Sequence, residues 1–298
     1  MDPLLLPKPT DMAVAGFVLL ILLEMIFGLK TGRTRFEQKD TMTSIIMGLG
    51  STISGAIFAG VYYVVGYFIW THYALFDLGS SLGVFVLAFV LDDFRYYWAH
   101  RLGHRVRWMW AAHVVHHSSQ HYNLSTALRQ TWTDFATPSY LLSIPLLILG
   151  IEPAILVFVH GINLIYQFWI HTEAIDKLPR WFEAIMNTPS HHRVHHANNP
   201  KYLDANYAGV FIVWDKIFGS FIPEDSEKPI YGLVQNVGTF NPLRIAFHEW
   251  LAIVSDWKQE KSWSNRIKFL IKPPGWTPDG SRKTSEMLKA EWRANQDK

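Results

Sequence analysis

Residues 100–117 read HRLGHRVRWMWAAHVVHH, and residues 192–196 read HRVHH. Five of the chain's 14 histidines fall in the first stretch, where an even spread predicts about one. The pattern is His100-x3-His104, then His113-x2-His116-His117 and, after 74 intervening residues, His192-x2-His195-His196. Separations of three and four put side chains on one helical face, about 5–6 Å apart at Cβ. Two imidazoles from one turn can then reach one metal, or two neighbouring metals. Histidine has no helix preference that explains such clustering. Eight neutral imidazoles packed together have little purpose without cations, and if protonated they would repel one another. The isolated His72, His121, His160 and His248 read as surface or satisfied core residues.

The segments around these clusters are apolar. Met12 to Leu29 is apolar except for Glu24 and long enough to cross a hydrocarbon core of about 30 Å. It has no basic n-region or small-residue cleavage site, so it is expected to be an anchor rather than a signal peptide. Further apolar runs cover Ile45–Trp70 and Leu82 to about Trp98. Tyr140–Leu149 and Pro153–Ile170 are split at Gly150 and Pro153, which predicts a re-entrant or tilted hairpin. Lys30, Arg33, Arg35 and Lys39 crowd the loop after the first run, whereas residues 71–81 hold no Lys or Arg. Positive charge favours the cytoplasmic side, so all three clusters are expected on the cytoplasmic face.

Of the 298 residues, 49% are hydrophobic and only 17% charged, against about a quarter in soluble domains. The net charge of +2 gives no electrostatic case for nucleic acid as a partner. The absence of cysteine excludes disulfides, thiolate metal sites and Cys nucleophiles together. Eight histidines exceed one structural zinc site, and calcium or magnesium prefers oxygen. Imidazole suits iron, zinc, copper and nickel alike. Two metals with about four His each and open positions for oxygen fit a dinuclear iron centre. The expected fold class is all-α: a multi-span membrane helical bundle with a cytosolic His-rich di-iron cap. Residues 1–84 form the N-terminal transmembrane helices, 85–225 the catalytic unit with its membrane hairpin at about 140–170, and 226–298 a cytosolic or interfacial segment. That last segment scatters Trp250, Trp257, Trp263 and Trp276 among Lys and Arg, which suits a cap lying against the interface.

HxxxH, HxxHH and HxxHH in this order resemble the fatty acid hydroxylase and sterol desaturase superfamily. Asp92–His104, His113–Gln130, Tyr166–Ile175 (YQFWIHTEAI) and Asn187–Phe221 look closest to its alkylglycerol monooxygenase branch. The similarity covers roughly residues 85–225. It implies two iron ions, O2 as co-substrate and a membrane lipid whose unactivated C–H bond is hydroxylated or desaturated. By position it carries the ligand role to His100, His104, His113, His116, His117, His192, His195 and His196. His171 sits where the superfamily often adds a further ligand. Animal members of the branch use tetrahydrobiopterin as reductant, but no pterin pocket is readable here. The resemblance thus implies an external electron donor, expected to be a reduced pterin or a donor protein. One position departs from the branch: Arg105 follows the second histidine, where the animal enzymes carry an acidic residue.

Ligating histidines usually donate their second N–H to a carboxylate or carbonyl. Asp92, Asp93 and Asp215 are candidates for that role, with Asp134 and Glu173 behind them. His191, one position off the ligating face, and Arg193, between ligands, are further candidates for supporting the metal site. Arg193 reads slightly better as a solvated helix charge. Asn206, Tyr207, Trp214 and Asp215 are expected to brace the third cluster, with Gly209 and Gly219 at turns or close contacts. Tyr96, Tyr97, Trp98, Trp108 and Trp110 read as an interfacial belt or as the lining of a lipid entrance. Asn123, Arg129 and Gln130 are offered as headgroup contacts.

The rivals are sterol desaturation, fatty acyl or sphingolipid hydroxylation, a non-catalytic membrane metal-binding protein and a zinc hydrolase. Transport predicts ionisable residues within the spans, whereas these histidines follow them. Hydrolysis predicts a general-base Glu, which all three clusters lack.

Overall fold

The computed structural model describes residues 6–296, and among them the chain is helical, without a named strand. Two isolated β-bridges, Met186 to Phe211 and Ala197 to Tyr231, tie loops together. Helix α1 (Pro9–Thr31) starts on proline and ends at Gly32, whose N–H bonds Gly28 O. Helix α2 (Gln38–Tyr73) starts where the Glu37 carboxylate accepts the Asp40 N–H. Both are long and apolar enough to cross a membrane, and only 17% and 11% of their apolar windows are buried. A core helix of a soluble protein would hide that face. Here Val18, Leu22, Ile26, Ile53, Ile57, Val61 and Val64 stand exposed, which places the chain at a membrane.

The 36 residues of α2 extend about 54 Å, well beyond a hydrocarbon core of about 30 Å. In its first turns Asp40, Thr43 and Ser44 are buried. Arg129 meets them: its guanidinium bonds the Asp40 carboxylate at 2.6 Å and Ser44 Oγ at 3.1 Å. Asn123 caps the 3-10 turn Leu124–Leu128 and donates to Arg35 O. The headgroup role expected of Asn123 and Arg129 is thereby corrected, because both are buried and their polar groups are used inside the protein. Gln130 is exposed and bonds Ala127 O.

Helix α3 (Leu82–Arg105) carries one buried stripe that changes character along its length. Val84 and Ala88 begin it, Asp92 and Asp93 follow, and Tyr97, His100 and His104 end it. The first histidine pair thus rides on the helix of the third apolar run rather than on a separate segment. A turn at Val106 leads to α4 (Arg107–His117). The hairpin forms from a 3-10 turn (Pro138–Ser143), α5 (Ile144–Leu149) and α6 (Pro153–Trp169). Gly150 closes α5 at φ +116°, and a Cβ there would stand 2.1 Å from Phe76 O, so only glycine fits. Val84 and Ala88 pack with Leu146, Leu147, Ile151, Ile155, Leu156 and Val159 into the core at this level.

The short helices α7 (Arg180–Glu183), α8 (Pro189–His195) and α9 (Val213–Ile217) sit among long loops. Then come α10 (Pro242–Gln259), α11 (Trp263–Ile271) and α12 (Ser285–Gln296). Arg107 anchors α10, holding Glu249 and Asp256 at 2.6 Å each.

Candidate metal centre

Helices α3, α4 and α8 and the end of α6 deliver nine histidines to one buried region. They form two sets, within each of which the available nitrogens lie within 4.8 Å of one another. One set is His100, His104, His113, His117 and His195; the other is His116, His171, His192 and His196. Helical geometry explains the division. In each HxxHH motif the first and last histidines, four residues apart, share a face and join the same set. The middle one points about 100° away from the last and joins the other set. His113 and His117 pair while His116 crosses over; His192 and His196 pair while His195 crosses back. The sets adjoin, with the His117 and His196 rings stacked at 4.5 Å.

The outer nitrogens are oriented by the backbone. Nδ1 of His100 faces Tyr207 O at 2.7 Å, that of His116 faces Arg129 O at 3.2 Å, that of His171 faces Gln167 O at 2.7 Å, and that of His195 faces Ala205 O at 2.8 Å. A carbonyl only accepts, so each of these Nδ1 atoms carries the proton and each neutral ring turns a bare Nε2 inward. His116 Nε2 and His171 Nε2 nevertheless stand 3.2 Å apart, two lone pairs facing each other. The buried Nε2 atoms of His104 and His195 have no hydrogen-bond partner. Similar approaches join His100 to His113 at 3.0 Å and His192 to His171 at 3.0 Å.

A cation between the rings resolves these contacts, and a proton is a poor candidate. Burial, with the neighbouring rings adding to it, lowers the His116 imidazole to about 4 and that of His171 to about 3. Burial and the neighbouring rings likewise hold His113, His117, His192, His195 and His196 well below the ordinary imidazole value. Two nitrogens bound at right angles, about 2.1 Å from one ion, stand about 3.0 Å apart. The donor sets therefore fit metal ions that prefer imidazole.

One loop orients much of the five-histidine set. Asp204 and Asn206 are non-glycine residues at positive φ, 50° and 55°. The chain bent by them presents Ala205 O to His195, Tyr207 O to His100 and the Asp204 carboxylate to His104 Nδ1 at 3.5 Å. Burial acts to raise the Asp204 pKa, but His104 and Arg105 together bring it below its usual value. Arg105 also reaches Glu286 of α12, so the reversed charge at this position finds two acids of its own. The sequence offers no periodicity that would single out Asp204; only the bend brings it to the site.

The carboxylates expected beside the ligands act one step further away. Asp93 accepts the N–H groups of Val210 and Phe211 and the Trp214 indole. Asp215 accepts the N–H groups of Tyr207 and Ala208. Both hold the loop that holds the histidine. Asp92 pairs with Arg95 and His160 instead. Arg193 is buried, bonding Glu224, Thr172 O and Ile175 O, so it is a paired charge and not a solvated one. His191 points away from both sets, with its Nδ1 unpartnered. Glu173 accepts the Tyr231 hydroxyl, and Asp134 accepts Ser139. Asn206 donates to His191 O and Ile222 O, bracing the third cluster as expected. A Cβ on Gly209 would stand 2.8–2.9 Å from Asn163, Asp93 and Tyr96. Among the aromatics, Tyr96 packs on His100 and Trp110 on His104, whereas Tyr97 is fully buried and bonds Ser220. Trp98 packs on Phe218, and Trp108 bonds Ala136 O.

The sequence model of the fatty acid hydroxylase family matches residues 85–220, the stretch that supplies all nine histidines. The chain carries a fatty acid hydroxylase domain. Alkylglycerol monooxygenases of Homo sapiens and Danio rerio are each 41% identical to it over 278 residues, 93% of this chain and 62% and 61% of theirs. The Xenopus tropicalis enzyme of the same name is 39% identical over 277 residues, 93% of this chain and 61% of its own. The chain thus spans about three-fifths of the length of these relatives, and their similarity runs well outside the hydroxylase domain on both sides. No solved structure matches the chain.

Proposed function

We propose that the chain is a multi-pass membrane oxygenase that uses O2 and two irons to hydroxylate a lipid C–H bond, with alkylglycerol ether lipids as its substrates. The observation that carries this reading is the pair of inward-facing lone pairs on His116 and His171, 3.2 Å apart beside similar contacts. His100, His104, His113, His117 and His195 would hold one iron, and His116, His171, His192 and His196 the other. Likeness to the alkylglycerol monooxygenases over nearly the whole chain supports the ether-lipid substrate.

The irons, when bound, supply the reduction of O2 and the removal of hydrogen from an unactivated carbon. The chain's own groups orient and exclude. Carbonyls of Tyr207, Arg129, Gln167 and Ala205 keep the protons of His100, His116, His171 and His195 on Nδ1, so those four Nε2 atoms stay available. Tyr96 and Trp110 cover His100 and His104, keeping water from the reacting carbon. The lipid enters sideways from the bilayer, along the apolar helices that end at the clusters. Hydroxylation of the carbon that bears the ether oxygen gives a hemiacetal, which collapses to an aldehyde and a free alcohol. The basic residues Lys30, Arg33, Arg35 and Lys39 support a cytoplasmic face for the histidines, with a reduced pterin or a donor protein as the external electron donor.

The test is metal stoichiometry and Mössbauer spectroscopy on protein purified in mild detergent, followed by assay on an alkylglycerol. Two coupled irons per chain and release of a fatty aldehyde are expected. Two zincs or a single metal would overturn the di-iron reading. Iron with hydroxylation of acyl lipids and no aldehyde would overturn the ether-lipid substrate alone.

A further inference from the structure

Helix α10 has two apolar faces, and only one of them is covered. Ile245 and Ala246 pack on Met47 of α2 and Val115 of α4, with Arg107 tying the same side through Glu249 and Asp256. Leu243, Phe247, Leu251 and Val254 follow one another at steps of four, four and three residues, and all are exposed. The stripe passes through Trp257 into α11, where Trp263, Ile267 and Ile271 repeat the spacing and are again exposed. Arg244, Lys258, Lys261 and Lys272 are exposed along the same two helices, and Arg266 lies 4.7 Å over the Trp263 ring. Two of the segment's acids, Glu249 and Asp256, are already spent on Arg107, so its outer surface is basic.

We propose that α10 and α11 lie flat in the headgroup layer of the bilayer, as an amphipathic cradle at the cytoplasmic side, with anionic lipid as the occupant of this face. Continuity argues for lipid over a second copy. The covered face of α10 meets α2 at Met47, level with Met42, Ile45, Ile46 and Leu49 of that helix's exposed apolar surface. The exposed stripe therefore adjoins a surface that already faces acyl chains. Cations beside an apolar stripe complement the negative cytoplasmic leaflet. The inference rests on the membrane reading proposed above, and it adds a support that holds α4, and with it His113, His116 and His117, at a set height over the bilayer.

The absence of cysteine from the chain makes single-site labelling direct. Leu251→Cys, Ile267→Cys, Val61→Cys in α2 and Lys283→Cys beyond α11 would each carry a nitroxide. The full chain is reconstituted in vesicles of phosphatidylcholine and phosphatidylserine. The readout is collision with lipid-soluble oxygen against collision with a water-soluble nickel chelate. At Leu251 and Ile267 an oxygen-to-nickel ratio several-fold above that at Lys283, and close to that at Val61, is expected. If both sites match Lys283 while Val61 stays in lipid, the cradle is overturned and the membrane reading stands. If Val61 is also aqueous, the membrane reading fails with it. Spin–spin broadening at Leu251 that persists on dilution into excess lipid would overturn lipid as the occupant in favour of a second copy.

Discussion

At His116 the bond from Nδ1 to the Arg129 carbonyl leaves the other nitrogen bare, and His171 is held the same way by Gln167. At these two positions a fixed acceptor sets the tautomer that a metal ligand needs. His191 is the contrast, a buried neighbour of His192 on the same helix whose ring faces away from both sets. The proposed assignment predicts that His171→Ala lowers iron from about two ions per chain to about one. His191→Ala is expected to retain both. Equal iron in the two variants, measured by plasma emission on purified protein, would sink the assignment of His171. Asp204→Asn removes the charge facing His104 and Arg105, and metal retention against a chelator should weaken by about 10–100-fold. Unchanged retention would show that the carboxylate orients nothing.

Short elements at this site are made rigid by what lies behind them. The 204–211 loop has little regular structure, yet Asp93 and Asp215 together fix four of its N–H groups. Gly209 lies within that loop, where a methyl group would meet Asn163, Asp93 and Tyr96. Gly209→Ala should cost about 1–3 kcal/mol by overpacking and loosen the Tyr207 carbonyl from His100. A melting temperature in detergent equal to that of the parent would refute the close fit. The opposite edge of the site depends on Arg129 and Asp40, both nearly inaccessible. Asp40→Asn leaves a buried cation short of its partner and should destabilise by about 3–5 kcal/mol. Since the Arg129 carbonyl orients His116, loss of metal from the four-histidine set is expected alongside.

Over the whole molecule, nine imidazoles are packed together, eight of them buried and His113 half-buried. A ring whose folded pKa lies below the unfolded value of about 6.5 binds fewer protons folded than unfolded, so stability rises with pH. For the metal-free chain the loss begins as pH falls below about 6.5 and grows until the folded values are reached, about 4 at His116 and about 3 at His171. Thermal unfolding of chelated protein between pH 7.5 and pH 5 should therefore show a falling midpoint. The variant lacking the His116 and His171 imidazoles should show a shallower slope. A midpoint independent of pH would mean that the metal-free rings are hydrated and the site opens without its ions.

The helical class, the apolar runs and the eight clustered histidines were legible in the sequence, because spacings of three and four and runs of about 20 residues encode helix faces and helices of membrane-crossing length directly. His171 became legible only through resemblance, as it stands alone in its segment. The division into a set of five and a set of four was not legible, because one turn can serve one metal or two until the packing of α3, α4 and α8 is known. Asp204, the carbonyls of Ala205 and Tyr207, and the Asp40–Arg129 pair likewise came only from the tertiary structure. Backbone acceptors carry no residue identity, and residues 89 positions apart meet because their helices pack. Local periodicity specifies which residues share a face; only the packing of faces decides which nitrogen meets which.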